Sequence, residues 1–252
     1  LKQNTFSRPG TVLARLATAG IALALAACAT SESAREANDP FEPANRAVYR
    51  FNTALDDAVI KPSAEVYVAM TPRPARTGVR NFMDNLNQPV VFANTVLQGK
   101  PRASVETFGR FAVNTIFGIG GLFDVASAAG VAEHREDFGQ TLAVWGFGEG
   151  PYIMLPVFGP SNVRDGFGRL ADRYPHPLQW NADYSGEEWA WAVRGLNGVD
   201  LRARSQDAIS SLEAAAIDPY VQIRSAYRQA REQAIADGDE AAFEDLPDFD
   251  EY

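Results

Sequence analysis

The sequence predicts a mostly α-helical protein, and three observations carry that prediction. Apolar residues recur at intervals of three and four through several segments, the spacing that gathers them on one face of a helix. Those segments are bounded by proline, glycine or asparagine, which start and stop helices. Strand signals are scarce, because alternation of apolar and polar residues is short-lived.

Lys2, Arg8 and Arg15 precede a twelve-residue apolar run, Leu16 to Ala27, that leads into Cys28, the single cysteine. A positive leader, a short apolar stretch and small residues before the break predict a signal peptide over residues 1–27; a bilayer-spanning helix needs about 20 apolar residues. Leu25-Ala26-Ala27-Cys28 resembles a bacterial lipoprotein processing box, which implies cleavage before Cys28 and acyl chains on it, and no second thiol is present to pair with that cysteine. Three such chains would exceed the two signals that stable anchoring takes. Ala29 stands where an aspartate would favour the inner membrane in enteric bacteria, so the resemblance points to the outer one. Residues 28–38 are small, polar and aperiodic after the cysteine and read as a flexible tether.

Without residues 1–27 the chain carries 20 Lys plus Arg against 32 Asp plus Glu. Nine of those acids fall from Glu232 to Glu251 with no base among them, so residues 232–252 read as an acidic, solvated tail. No basic cluster suits nucleic acid, whose phosphates this chain would repel.

The folded body is expected over residues 39–231. Asp39 can cap, and Pro40 or Pro43 can open, a helix with Ala44, Ala47, Val48, Phe51, Ala54, Leu55 and Val59 on one face. Lys61-Pro62 should end it. A short helix over 62–70 then precedes a corner at Thr71-Pro-Arg-Pro74. Separate helices are expected over 75–86 and 89–97, and another over 101–117 with Val105, Phe108, Ala112, Val113 and Ile116 as its stripe. Ser161 is a candidate cap for an amphipathic helix over 163–174. A long helix should start near Ser185, with Glu188 as its capping-box partner, and Asp218-Pro219 should open the last one.

Residues 111–163 differ from their surroundings. Their only charges are Asp124, Glu133, Arg135, Glu136, Asp137 and Glu149, and they hold nine of the twenty glycines. Charge-free runs of 11 to 14 residues suit buried, re-entrant or interfacial segments. Phe117-Gly-Ile-Gly-Gly-Leu-Phe123 should be a bend with apolar flanks, because glycine is costly inside a helix.

Patterns for catalysis are missing. There is no Gly-x-Ser-x-Gly and no His-Glu-x-x-His. His134 sits in a charged turn and His176 between two prolines, which favours surface or capping roles over a metal pair. Gly146-Phe-Gly148-Glu-Gly150 lacks the Gly-Lys-Ser/Thr that a phosphate loop needs.

The motifs together are similar to those of a known family. Asp39-Pro-Phe-Glu-Pro-Ala-Asn-Arg46, Tyr49-Arg-Phe-Asn52, Pro74-Ala-Arg76 with Gly78, Asn114-Thr115 leading to Gly118-Ile-Gly-Gly121, Phe123-Asp-Val-Ala126, Phe138-Gly-Gln-Thr-Leu142 and Gly150-Pro-Tyr152 to Leu155-Pro156 resemble the VacJ/MlaA lipoproteins. Asp218-Pro-Tyr220 with Arg224 and Tyr227 extends the match more loosely.

That resemblance implies a ring of amphipathic helices in the inner leaflet of the outer membrane, beside a trimeric porin and around a central channel. It implies removal of misplaced phospholipids from the outer leaflet and delivery to a soluble periplasmic carrier of the Mla pathway, with no cofactor, metal or catalytic residue. Cys28 is the expected lipid-attachment site. Asn45, Arg46, Tyr49, Phe51 and Asn52 on the first helix, and Phe117, Gly118, Gly120, Gly121 and Phe123 at the bend, are the channel and gate candidates. In that reading Phe51 points outward or to the rim while Asn45, Arg46 and Asn52 point inward. A porin-associated scaffold without lipid transport, and a lipoprotein phospholipase, are the competing readings.

Overall fold

A computed structural model describes residues 37–179 and 188–236. The expected signal peptide, Cys28, most of the tether, Ser185 and the tail beyond Ala236 lie outside the described residues. In chain order the elements are α1 (Glu42–Leu55), a π-helical turn (Asp56–Ile60), α2 (Lys61–Met70), α3 (Arg73–Leu97), α4 (Pro101–Ile116), α5 (Val125–Ala128), α6 (Phe138–Val144), β1 (Tyr152–Leu155), β2 (Gly159–Asn162), α7 (Val163–Ala171), α8 (Glu188–Arg204), α9 (Gln206–Ala215) and α10 (Pro219–Ala236). The protein is therefore mostly α, as the periodicity predicts, and among the described residues no helix is long and apolar enough to cross a membrane.

Three boundaries differ from expectation. Lys61-Pro62 does not end the first helix: the Lys61 N–H bonds to the Asp56 carbonyl, five residues back, and this wider turn carries the chain past Pro62, which cannot donate the usual bond. The true corner is Thr71-Pro72, where the backbone turns extended. Residues 75–86 and 89–97 are one helix, α3, with Pro89 inside it; the lost Pro89 bond is outweighed by buried neighbours at Gln88, Val90 and Val91. Asn162, not Ser161, caps α7, its side chain accepting from the Asp165 N–H at 2.7 Å. Asp218 opens α10 as expected, accepting from the N–H groups of Tyr220 and Val221.

A short β-hairpin also appears, although the sequence carries few strand signals. β1 and β2 pair antiparallel with Tyr152 opposite Asn162 and Leu155 opposite Gly159, through a turn in which Val157 takes φ 70°. Its strands do not alternate in polarity, since Tyr-Ile-Met-Leu faces Gly-Pro-Ser-Asn. The hairpin is held by side chains of α1, described below.

Burial is inverted relative to a water-soluble helical protein. Among the described residues nineteen polar or charged side chains are buried against eleven apolar ones, while twenty-eight large apolar side chains are exposed. Helix α4 shows the cause. Its stripe of Val105, Phe108 and Ile116 faces outward and it buries Ala103, Ser104, Thr107, Arg110 and Asn114. Much of the buried side is paired within the chain: Arg110 reaches Asp124 at 2.9 Å and the Val131 carbonyl at 2.6 Å, and Asn114 holds Asp124 and the Ala126 N–H, while Thr107 Oγ1 and Arg110 Nε are buried without a partner. Helix α7 repeats the pattern, burying Arg164 and Asp165 and exposing Phe167 and Leu170. A small apolar centre of Tyr152, Met154 and Tyr220 has Val48, Tyr49 and Tyr227 packed against it.

Candidate functional site

The first group of candidate residues grips the hairpin and α10. Asn45 is buried; its Nδ2 donates to Asp39 Oδ1 at 2.8 Å and to the Tyr152 carbonyl at 3.1 Å, and its Oδ1 accepts from the Met154 N–H at 2.8 Å. Two turns on, Asn52 donates to the Leu155 carbonyl at 3.0 Å and accepts from the Val157 N–H at 2.8 Å. An asparagine amide supplies donor and acceptor together, so these two residues stand in for a third strand beside β1. Arg46 pairs with Glu42 at 2.6 Å and Asp218 at 2.7 Å and lies over the Tyr220 ring at 4.4 Å; Asp218, then Glu42, raise its pKa. Tyr49 meets Tyr220 edge to face at 5.8 Å.

Asn45, Arg46 and Asn52 thus point to the hairpin and to the start of α10. Their polar atoms are spent on holding elements together rather than left open to a passage. Phe51 lies on the opposite side, 53% exposed.

The second group forms a turn over residues 117–123, seated against α3. Ile119, Gly120 and Gly121 all take positive φ, at 53°, 68° and 97°. A Cβ on Gly118 would stand 2.1 Å from the Phe123 carbonyl oxygen, and one on Gly121 would stand 2.4 Å from Asn85 Cβ, so both positions demand glycine. Asn85 Nδ2 reaches Thr115 Oγ1 at 3.0 Å and the Gly120 carbonyl at 3.3 Å, and Asn81 reaches the Leu122 carbonyl at 3.2 Å. Phe117, Ile119, Leu122 and Phe123 all project outward, Phe117 at 70% exposed. The bend is therefore a polar-anchored turn with an apolar outer surface.

Beneath both groups runs an ionic network that motif reading did not single out. Asp39 is fully buried between Arg224 at 2.7 Å, the Tyr220 hydroxyl and Asn45. Arg231 bridges Asp137 at 2.5 Å and Asp165 at 2.7 Å, and the Tyr227 hydroxyl donates to Asp165. Burial pushes the Asp137 carboxyl up, but Arg231 and the Gln140 N–H together hold it below the usual carboxylate range. Burial, then Asp165, raises the Tyr227 phenol. Asp172 accepts from Asn94 at 2.8 Å and from the Phe138 N–H at the start of α6, and burial pushes it up to about 6. The only signal in the sequence was the surplus of charged residues on otherwise apolar helices, which does not reveal a partner far along the chain.

His134 contacts Glu106 at 2.7 Å, and His176 accepts from the Leu178 N–H at 3.2 Å. Among the described residues no group of three or more His, Cys, Asp or Glu is arranged to hold a metal.

These features define a class: a helical protein whose interior is built from paired polar groups and whose outer surface suits an apolar neighbour. Within that class the chain belongs to the MlaA lipoprotein family, whose sequence model matches residues 37–234. It is 37% identical over 230 residues to the intermembrane phospholipid transport system lipoprotein MlaA of Escherichia coli (strain K12), with 88% of each chain covered. The MlaA lipoprotein of Haemophilus influenzae (strain ATCC 51907 / DSM 11121 / KW20 / Rd) is 34% identical over 225 residues, covering 86% of this chain and 88% of that one. A solved chain from work on the structural basis for maintenance of bacterial outer membrane lipid asymmetry aligns with a TM-score of 0.68 at 35% identity, covering 78% of this chain and 98% of that chain.

Proposed function

We propose that this protein is an outer-membrane lipoprotein that removes phospholipids misplaced in the outer leaflet and passes them to a soluble periplasmic carrier of the Mla pathway, so maintaining lipid asymmetry. The observation that carries this reading is the inverted burial, polar inside and apolar outside, in a chain of this family. Acyl tails need an apolar wall, and a zwitterionic or anionic head group needs hydrogen-bonding partners, since an unsatisfied charge in an apolar medium is strongly disfavoured. Helices lying in one leaflet meet both demands. In this reading the helices form a ring with a central channel, Cys28 carries the anchoring acyl chains, and a trimeric porin is the neighbour of part of the apolar surface. The turn from Phe117 to Phe123 is the gate, because its exposed rings can follow acyl tails while Gly118, Gly120 and Gly121 permit its backbone conformation. Asn45, Arg46, Tyr49 and Asn52 act one layer away, fixing the helix from which Phe51 projects. Lipid transfer makes and breaks no covalent bond, so the reading assigns no catalytic residue.

The test is replacement of the resident gene by a null allele and by the wild-type copy. Phospholipid accessible at the cell surface to an amine-reactive probe should rise in the null strain and fall to the parental value on complementation, and phospholipid should co-purify with the protein. A scaffold without transport predicts no such rise, and a phospholipase predicts released fatty acid in place of intact lipid.

A further inference from the structure

Five of the outward apolar side chains converge on one depression. Near the Gly99-Lys100 turn, α3 and α4 leave an open groove of about 720 Å³ between them, walled by Phe92 and Val96 of α3 and by Pro101, Val105 and Phe108 of α4. A volume of this order is that of a small-molecule site. Phe92 and Phe108 meet across the two helices with ring centroids 5.8 Å apart. The hydroxyl of Ser104, which also lines the groove, donates to the Lys100 carbonyl at 2.8 Å and is spent within the chain.

Charge is confined to one end. Lys100 lines the groove at the turn and pairs with Glu136 at 2.5 Å. Arg102, one helical turn before Val105 on the same side of α4, pairs with Glu106 at 2.9 Å. In both pairs the acid is the more buried partner, Glu136 at 3% and Glu106 at 22% side-chain exposure against 30% for Lys100 and 89% for Arg102. Each acid also has a second partner within the chain, Gln98 for Glu136 and His134 for Glu106. Cations therefore form the outer rim at this end. Away from it α3 carries no charge back to Asp84, and the next charge along α4, Arg110, is buried against Asp124.

A groove that is apolar along its length and cationic at one end matches a molecule built the same way. It runs about 10 Å along α4 from Pro101 to Phe108 at 1.5 Å per residue, within the roughly 15 Å that an acyl tail spans in one leaflet, half the hydrocarbon core. A tail lying there brings the phosphate of its head group to Lys100 and Arg102, whose donors suit phosphate oxygens. A protein partner would bring a polar rim around its apolar patch, whereas the polar side chains that line this groove, Lys100 and Ser104, stand at the turn end alone.

We propose that this groove seats one acyl tail of a glycerophospholipid, with the lipid phosphate held at Lys100 and Arg102. The seat rests on the transport reading above for placing the protein in a leaflet, and adds to it a lipid site outside the channel. Val105, Phe108, Ile116 and Phe117 are exposed in succession, so an apolar face about 22 Å long joins the seat to the proposed gate.

The test is native mass spectrometry of the detergent-solubilised full chain, titrated with dioleoyl phosphatidylethanolamine and, separately, with dioleoylglycerol. Wild type should bind the phospholipid at one saturable site and the phosphate-free lipid more weakly. Val105 is 73% exposed, so Val105→Trp fills the groove without entering the interior. It should weaken phospholipid binding about tenfold, as losing the burial of about two methylenes predicts. Val96→Trp fills the groove from α3 and decides the matter should Val105→Trp not fold, with helical circular dichroism as the control. Phe167→Trp, at an exposed apolar position on α7 outside the groove, should bind as wild type does. Arg102→Gln should weaken phospholipid binding about threefold, the size of an exposed charge contact, and leave dioleoylglycerol binding unaltered. Unchanged affinity in the folded groove-filling variant, or an equal loss in Phe167→Trp, overturns the seat. Weakening of both lipids alike by Arg102→Gln, or of neither, overturns the placement of the phosphate. The two readings fail separately: a groove-filled variant that binds as wild type removes only the seat, whereas a wild-type copy that restores no asymmetry in the null strain removes the transport reading and leaves the titration as it stands.

Discussion

Asn45→Asp is the sharpest test of how the first helix is held. The side chain keeps its size but exchanges two donors for lone pairs at a buried position. The oxygen that accepts from Met154 N–H survives. The nitrogen facing Asp39 Oδ1 at 2.8 Å and the Tyr152 carbonyl at 3.1 Å does not. A hydrogen bond to a charged group contributes roughly 1.5–3 kcal/mol and a neutral one about 1 kcal/mol, so about 2.5–4 kcal/mol is lost before like-charge repulsion from Asp39 is added. For a body of this size each kcal/mol shifts Tm by roughly 2–4 °C, giving a fall of about 10 °C at pH 7. Burial and the neighbouring Asp39 raise the pKa of the introduced carboxyl above its unfolded value. Its penalty is therefore full at neutral pH and shrinks as the pH falls towards about 4. Thermal unfolding followed by circular dichroism in nonionic detergent, at pH 7 and pH 4.5, measures both. A Tm within about 2 °C of wild type at pH 7 refutes the claim that Asn45 stands in for a strand beside β1.

Asp172→Asn should flatten one limb of the pH–stability profile. The native carboxyl is raised to about 6 from an ordinary 3.8, so its contribution is fully present below the unfolded value and is lost as the pH climbs through about 6; the stability of wild type minus that of the variant should drop by about 2.5 kcal/mol from pH 4 to pH 7, and parallel profiles would rule out the assignment. Phe51→Asp places a charge on an outward side chain, which should leave detergent Tm nearly unchanged but release protein from membranes and raise surface-exposed phospholipid; normal fractionation and normal asymmetry would count against a lipid-facing α1. Gly121→Val should dislodge the 117–123 turn, since φ is 97° and a Cβ would sit 2.4 Å from Asn85 Cβ, whereas Gly120→Ala, with open space around it, should cost about 1 kcal/mol. Hydrogen exchange of the turn distinguishes them, and equal protection in both variants would contradict the packing described.

Much of the helical framework was legible because it depends on local chemistry. Proline at the start of α1, α4 and α10 and the Asp218 cap act within one turn of the chain, so reading them requires no knowledge of partners. The misses were places where a distant element overrode a local signal. Pro62 and Pro89 look like terminators, yet a π turn absorbs the first and buried flanks retain the second. The β1–β2 hairpin has no alternation to announce it, because its register is set by Asn45 and Asn52 more than a hundred residues earlier.

By itself the amino-acid order determined the helical class, the glycine requirement of the 118–121 bend, the apolar stripes and the motifs that mark the family, since each depends on residue type and near-neighbour spacing. It could not determine which side of a stripe faces in. An amphipathic helix has two faces, and which of them is buried depends on what lies opposite. Only the tertiary structure decided that Arg110, Asn114, Asp165 and Arg231 point to one another while Val105, Phe108, Phe167 and Leu170 point away. The physical reason is that a buried charge is tolerated only beside its partner, and those partners lie tens of residues apart along the chain.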